Sequence, residues 1–488
     1  MRAPKKRRGK QTQTPDLFVR LAAHVTLDVQ PGGQILASFH GYSIGLGTFD
    51  ATVASRAHDL RAGLSLSAVA RGRRTDQGID ALVRRLARRN LVEYWLGRAG
   101  GTDLIAVEPQ TADYWPQAAQ LRNSDALVLS RFAYLRRRGN HLVLESPRST
   151  ALLRIGDPRI AGFLAKLSTP QTVGQLRREK GFPGTVFLGL LVDCQFAFKV
   201  DAKSNKNLRS AEGDDNLVVW DFHDLLFHAR STEGRHANPL GGTYPHAGMI
   251  APLPAVRPSW PGRKVALGEV SAAQAPTNSP VAKILRKRHS TRNFDERPPI
   301  TLAELSQFLD GAARILPRPK AAAGAGGEDE YVPRPYPSAG AGYELELYLA
   351  INSCEGLPRG FYHYDAGSHA LAAIDVAGNM LDASLVAAAS AMGVETPPQI
   401  LITIAARFGR ISWKYSSLAY SLILRDAGVL LQTFYLMAMD LDLGGCAVGI
   451  ANIDLFAMLT GIEFHVEGPV GQFVLGRGAE TASTPPAD

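Results

Sequence analysis

Few stretches of this chain leave its fold as little freedom as SSLAYSLILRDAGVLLQTFYLMAMDLDLGG, from Ser416 to Gly445. Its length and apolarity invite a membrane reading, but Arg425 and Asp426 interrupt its middle. An adjacent charged pair at the centre of a lipid-spanning helix is costly, so the run is expected to be a buried helix, Ser416 to Asp440, of a soluble protein. It is apolar on most sides. It therefore needs layers of structure around it, and more partners than one subunit provides.

The flanking sequence supplies such layers. From Ser279 to about residue 480 the order is helix VAKILRKRHS, helix TLAELSQFLDGAARI with Thr301 as N-cap, and a loop ending in YPSAG. Strand YELELYLAI, hairpin GFYHYDAGSHALAAI, helix NMLDASLVAAASAMG and strand QILITIAARF follow, then the long helix, GCAVGI and GPVGQFVLG. Helices interleaved with strands in this order predict an α+β domain over 279–480, an antiparallel-type sheet packed by helices. Upstream, helix, turn, helix and strand occur in LSLSAVARGRRTDQGIDALVRRLARRNLVEYWLG. A similar order returns in HLVLES, RIAGFLAKLS, TVGQLRRE and TVFLGLLVDCQFAFKV. Two winged-helix-like modules are expected, 17–122 and 123–202, joined to the last domain by a linker segment at 203–278. Residues 1–16 and 481–488 read as disordered tails.

Composition narrows the classes. The chain has 54 Lys plus Arg against 45 Asp plus Glu, with basic clusters in MRAPKKRRGK and VRRLARRN, which favours acidic partners without naming them. The three cysteines, Cys194, Cys354 and Cys446, are far apart and form no CxxC pair, so neither a disulfide framework nor a thiolate metal site is expected. The polar sequence after the basic start is not a signal peptide, and a reducing cytoplasm is the expected home. His223, His228 and His236 lack HExxH spacing and read as core or surface histidines. A serine-hydrolase elbow is not expected. The glycines around Gly324 lack the preceding strand and following helix of a dinucleotide fingerprint.

Two clusters can carry chemistry. RKRHSTRNF places Arg288, Ser290 and Arg292 at alternate positions, two guanidiniums and a hydroxyl suited to a phosphate. A basic helix end facing water explains the same residues. Arg477 in the terminal LGRG is a distant candidate partner. RISWKYSSLAY places Lys414 and Tyr415 at the entrance to the long helix. An ammonium beside a phenol favours the phenolate, so the pair can act as a base where its surroundings shift it. Spacing alone favours a solvent-facing Lys and a core Tyr. YPSAG, Tyr336 to Gly340, is a turn whose small residues keep side chains away from the backbone, leaving room for something flat or anionic.

Together, RHSTRNF, YPSAG before YELELYLAI, GFYHYDAGSHAL, WKY and DAGVLLQTFYLMAMDLDLGGCAVGI resemble the SagB-type (McbC-like) azoline dehydrogenases of the nitroreductase superfamily, including cyanobactin thiazoline oxidases. The resemblance covers the chain from about Ser279 onward, while WDFHDLLFHARSTEGRH and GGTY resemble the joining segment of longer members. It implies an FMN enzyme that oxidises thiazoline or oxazoline to thiazole or oxazole in a ribosomally made precursor peptide. Arg288, Ser290 and Arg292 would then hold the FMN phosphate and ribityl side, with Arg477 as a further phosphate partner. Ser338, Ala339 and Gly340 would border the isoalloxazine, and Gly444 and Gly445 would lie on its far side. Lys414 and Tyr415 match the family's Lys-Tyr pair, one of which would remove the azoline α-proton as hydride leaves for the flavin. A homodimer with FMN between subunits and a possible cyclodehydratase partner are also implied. Val429 departs from the pattern, standing where many relatives have His.

Three other functions compete: an NAD(P)H-dependent reductase, a dehydrogenase of a peptide Cα–Cβ bond, and a winged-helix DNA-binding regulator. The last is motivated by Arg84, Arg85, Arg88 and Arg89 on one helix. Winged-helix modules also bind peptides by adding a strand beside the wing, and leader-peptide recognition is the preferred expectation.

Overall fold

The computed structural model describes residues 15–39, 41–71, 74–97, 103–200, 208–238, 240–257, 259, 261, 263–267, 279–294, 298–317 and 332–478. The expected tails, apart from Pro15 and Asp16, lie outside these residues, as does the Gly324 loop. The chain forms two units, one from the N-terminus to Arg230 with Gly234–Ala237, the other containing Ser231–Glu233 and everything from Asn238 onward.

The first unit differs from two tandem modules. Its main sheet has seven strands in the order Leu64–Ser65, Asp16–Leu21, Val92–Gly97, Ile105–Pro109, Ala151–Ile155, His141–Glu145, Tyr134–Arg138. Ile105 lies opposite Ile155 and Ala151 opposite Pro109, so strands from both expected modules belong to one ladder. Pairing satisfies an edge that either half alone would expose. A single cluster of buried side chains runs from Leu17 to Ala197. The recurring order of short helices and strand is present in both halves, with helices Leu66–Arg71 and Arg74–Ala87 in one and Arg159–Lys166 and Thr185–Asp193 in the other.

The expected linker is also partly folded. Leu208–Ala211 and Phe222–Ser231 are helical, and Leu217, Trp220, Leu225 and His228 are buried. Buried Glu212 accepts hydrogen bonds from Ser130 Oγ (2.7 Å) and Arg131 N (2.7 Å) and pairs with Arg148 (2.8 Å). A polar stretch can thus be structural when its charge finds partners in one place. From Leu240 to Leu267 the described residues form only turns and irregular backbone.

The second unit is built on a six-stranded antiparallel sheet, ordered Ala370–Ile374, Gly360–Asp365, Leu345–Ile351, Ile400–Arg407, Glu467–Gly476, Gly444–Val448. Helices cover both faces, which explains why Leu345–Ile351 and Ile400–Arg407 are buried almost without alternation. On one face, Leu385 and Ala388 of helix Gly378–Met392 and Phe456 of helix Ile453–Thr460 pack against Tyr348, Phe361 and Leu401. On the other, Phe308 of helix Leu302–Ala313 meets Phe434 of the long helix at 5.2 Å, and Phe434 meets Phe473 of the sheet at 5.4 Å. Thr301 caps its helix through a reciprocal box with Glu304.

The long helix spans Ala419–Asp440. By length and composition it could cross a bilayer, but Tyr420, Ile423, Asp426, Leu430 and Phe434 are buried within the unit. The face carrying Val429 is not covered.

Candidate active site

Tyr336 to Tyr343 form a compact turn ahead of the sheet. Gly340, Ala341 and Tyr343 take φ values of 56°, 56° and 46°. Left-handed backbone at the two non-glycine positions costs about 1–3 kcal/mol each, so the surroundings must hold it. They do. Asp426, at the middle of the long helix, accepts from Ser338 Oγ (2.9 Å) and Ala339 N (2.8 Å). Ser338 Oγ in turn accepts from Tyr343 N (2.9 Å), and Arg410 donates to the Gly342 carbonyl. The charge that argued against a membrane span anchors this turn.

Lys414 and Tyr415 follow the short helix Phe408–Ser412, and both of their backbone N–H groups donate to Ile411 O, at 3.0 and 2.9 Å. Their side chains converge on the turn. A Cβ added to Gly340 would stand 2.2 Å from the Tyr415 hydroxyl and 3.3 Å from Lys414 Nζ. Lys414 Nζ also donates to Gly340 O at 3.3 Å. Gly340 is therefore required twice, by its positive φ and by the phenol that fills its missing side chain. The pair and the turn expected to border a planar ligand are brought together in one place.

A second group forms where residues 288–294 run along the strand Gly444–Val448. Thr291 N donates to Gly445 O (2.9 Å), and the Arg288 guanidinium lies 5.1 Å from the centre of the Tyr435 ring. Ser290 Oγ and Tyr435 OH are 2.8 Å apart, while Tyr435 OH accepts from Ala447 N (2.8 Å). That arrangement lets Tyr435 donate to Ser290, which keeps its own proton for a ligand oxygen. Arg292 is exposed with no ionic partner among the described residues. Two guanidiniums and a hydroxyl with donors to spare fit a phosphate such as that of FMN.

Gly444 and Gly445 sit beside this group for packing reasons. Their added Cβ atoms would meet Thr291 at 2.7 Å and Phe473 at 2.3 Å. Arg477 is engaged elsewhere: its Nη2 donates to both Glu304 oxygens at 2.9 Å, tying the last strand to the N-terminus of helix Leu302–Ala313. Gln399 fixes the same corner, accepting from Ile300 N (3.0 Å) and Arg477 N (3.1 Å). Asp426 and Tyr435, the anchors of the two groups, are nine residues apart, about 14 Å along the helix axis and two and a half turns around it.

Sequence reasoning missed three of these residues. Tyr435 carries no local signal. Asp426 stood out only as a charge in an apolar run. Glu344 is fully buried beside Asp426, with Ser338 Oγ 3.2 Å from its Oε2 and no partner for Oε1. Burial, and then the charge of Asp426, push its carboxyl up to about 7. Because the folded state binds this proton more tightly than the unfolded chain, Glu344 stabilises most below its ordinary value of 4.5, and that stability is lost as pH rises to about 7. The loss amounts to about 3 kcal/mol. Glu344→Gln should flatten this dependence. Urea unfolding at about pH 5 and about pH 8 would reveal it, and an unchanged slope in the variant would remove Glu344 as the source.

The other sequence candidates settle into structure. Arg84 pairs with Asp80 (2.9 Å) and stacks over Trp115 (4.3 Å), while Arg85 donates to Leu46 O and covers Phe49 (5.0 Å). These two arginines are occupied within their own unit, which weakens a nucleic-acid reading. His228 is buried and stacks on Trp220. Cys194, Cys354 and Cys446 are buried and free.

Comparison with known proteins gives two family matches. A model of the nitroreductase family matches residues 285–477, and one of the cyanobactin oxidase ThcOx matches residues 127–237. A protein of Methanocaldococcus jannaschii named as a nitroreductase is 31% identical over 168 residues, covering 34% of this chain and 76% of its own. Among solved structures, a protein of Ralstonia eutropha described as a nitroreductase is 22% identical with a TM-score of 0.34, covering 50% of this chain and 98% of its own. The E. coli microcin synthetase McbBCD complex with truncated pro-MccB17 bound is 18% identical with a TM-score of 0.41, covering 57% and 100%. At these scores the structural likenesses bear on neither substrate nor partner.

Proposed function

Because the chain belongs to the nitroreductase family, with a segment matching a cyanobactin oxidase ahead of that domain, we propose that it is an FMN-dependent azoline dehydrogenase. Its substrate is a thiazoline or oxazoline in a ribosomally made precursor peptide, oxidised to the thiazole or oxazole. The observation that carries this reading is the convergence of Lys414 and Tyr415 on Gly340, a candidate base beside a turn of small residues.

In this reading Arg288, Ser290 and Arg292 hold the cofactor phosphate, and Ser338, Ala339 and Gly340 border its ring, with Gly444 and Gly445 nearby. FMN, when bound, supplies the hydride acceptor. Lys414 and Tyr415 take the proton from the azoline α-carbon, one as base and the other tuning it. Asp426 keeps the turn pressed toward them through Ser338 and Ala339. A homodimer is part of this reading, suggested by the separation of the two groups along the long helix. The first unit is proposed to receive the leader peptide, in a cytoplasmic enzyme that follows a cyclodehydratase, the class of reaction that makes azolines.

The nitroreductase likeness favours a second reading, a reductase fed by NAD(P)H. Anaerobic mixing separates the two. The purified protein should be yellow and bleach with an azoline peptide but not with NADPH. A protein that rejects FMN would sink both readings, and bleaching by NADPH alone would leave the reductase.

A further inference from the structure

Two residues beyond Gly340 the same turn opens on a different space. Gly342 and Tyr343 face a polar cavity of about 380 Å³ whose other walls carry Arg334, Arg407, Arg410, His363, Glu346 and Asp365. Three guanidiniums meet two carboxylates there. Asp365 is kept ionised chiefly by Ser368, whose hydroxyl and backbone N–H both donate to it.

Arg334 and Arg407 are poorly matched to Glu346. Glu346 Oε1 stands 3.9 Å from Arg334 Nη2 and 3.7 Å from Arg407 Nη1, beyond hydrogen-bonding distance from both. Its other oxygen is 3.4 Å from His363 Nε2. Arg334 has a side chain only 8% exposed, donates once to Leu345 O at 3.2 Å, and leaves its buried Nε without a partner. A buried guanidinium with idle donors is expensive unless something arrives to accept from it. Arg407, with a side chain 56% exposed, stands at the lip.

We propose that this cavity binds a carboxylate of the peptide substrate, that of an acidic side chain close to the azoline. The inference rests on the peptide-oxidising reading above and adds a specificity to it. Arg334 and Arg407 are its donors, the guanidinium fork matching the two oxygens of a carboxylate. The excess of positive charge is small, because Glu346 and Asp365 also line the cavity. It suits a single negative charge and opposes a phosphate dianion. Position supports the same occupant: the cavity and the Lys414–Tyr415 pair touch one turn two residues apart, so a carboxylate held here belongs to a residue near the reacting ring.

The test is a calorimetric titration of the full-length, FMN-loaded protein with two thiazole peptides that differ only in Glu or Gln beside the ring. The Glu peptide should bind about tenfold more tightly. That preference should collapse toward parity in Arg407→Gln, an exposed position chosen because Arg334→Met could disturb folding. Equal binding of the two peptides, or binding of neither, overturns the proposal. Inorganic phosphate displacing the Glu peptide at comparable concentration also overturns it, making the cavity a phosphate site. Preference for the Glu peptide without azoline oxidation would leave the cavity's assignment standing and remove the enzymatic one.

Discussion

Tyr415→Phe and Lys414→Ala should each lower turnover of an azoline peptide by about 10²–10⁴-fold while the purified protein remains yellow. The phenol oxygen occupies the space that any side chain on residue 340 would need, and the Lys414 ammonium reaches the carbonyl of that same residue. Tyr415→Phe removes the oxygen and keeps the ring, so the turn retains its packing. Lys414→Ala keeps the phenol oxygen but removes the ammonium that reaches the Gly340 carbonyl. The residue acting as base should show the larger loss of the two. Flavin absorbance reports cofactor retention and rapid-mixing bleaching reports the chemical step. Unchanged bleaching rates in both variants would take the pair out of the reaction.

Gly340→Val should act on the cofactor first. A β-branched residue at φ 56° is strained, and its Cβ would collide with the Tyr415 hydroxyl at 2.2 Å. The turn must open or the phenol must leave, at a cost of about 1–3 kcal/mol, which corresponds to an FMN affinity weaker by roughly 5- to 150-fold. The sheet behind the turn does not depend on residue 340, so far-ultraviolet circular dichroism should keep its native shape. Native FMN affinity with native turnover would show that the turn borders no ligand.

Much of the second unit could be read from the chain because its signals are local. The apolar runs around Leu345 and Ile400 became central strands, and Thr301 announced a helix start as its N-cap. Contacts made across long stretches of chain were not legible. Ser290 finds Tyr435 across 145 residues, and nothing in either neighbourhood signals the other. Alternation alone places Glu344 on the side of Glu346, but the strand begins only at Leu345, and the turn before it rotates Glu344 inward. Arg477 was matched to an anion by the glycines around it, whereas both oxygens of Glu304 take its Nη2. The same limit applies upstream, where helix-and-strand order repeats legibly but the pairing of Ile105–Pro109 with Ala151–Ile155 does not.

That pairing decides where the molecule can be cut. A break near residue 122 would divide a continuous β-ladder and leave two raw edges. A break within Leu240–Leu267 would cross no strand pair among the described residues. The upstream sheet is thus gained, lost or exchanged only as a whole, and any recognition it performs travels as one heritable piece, while Ser231–Glu233 belong downstream, where Glu233 bridges Asn452.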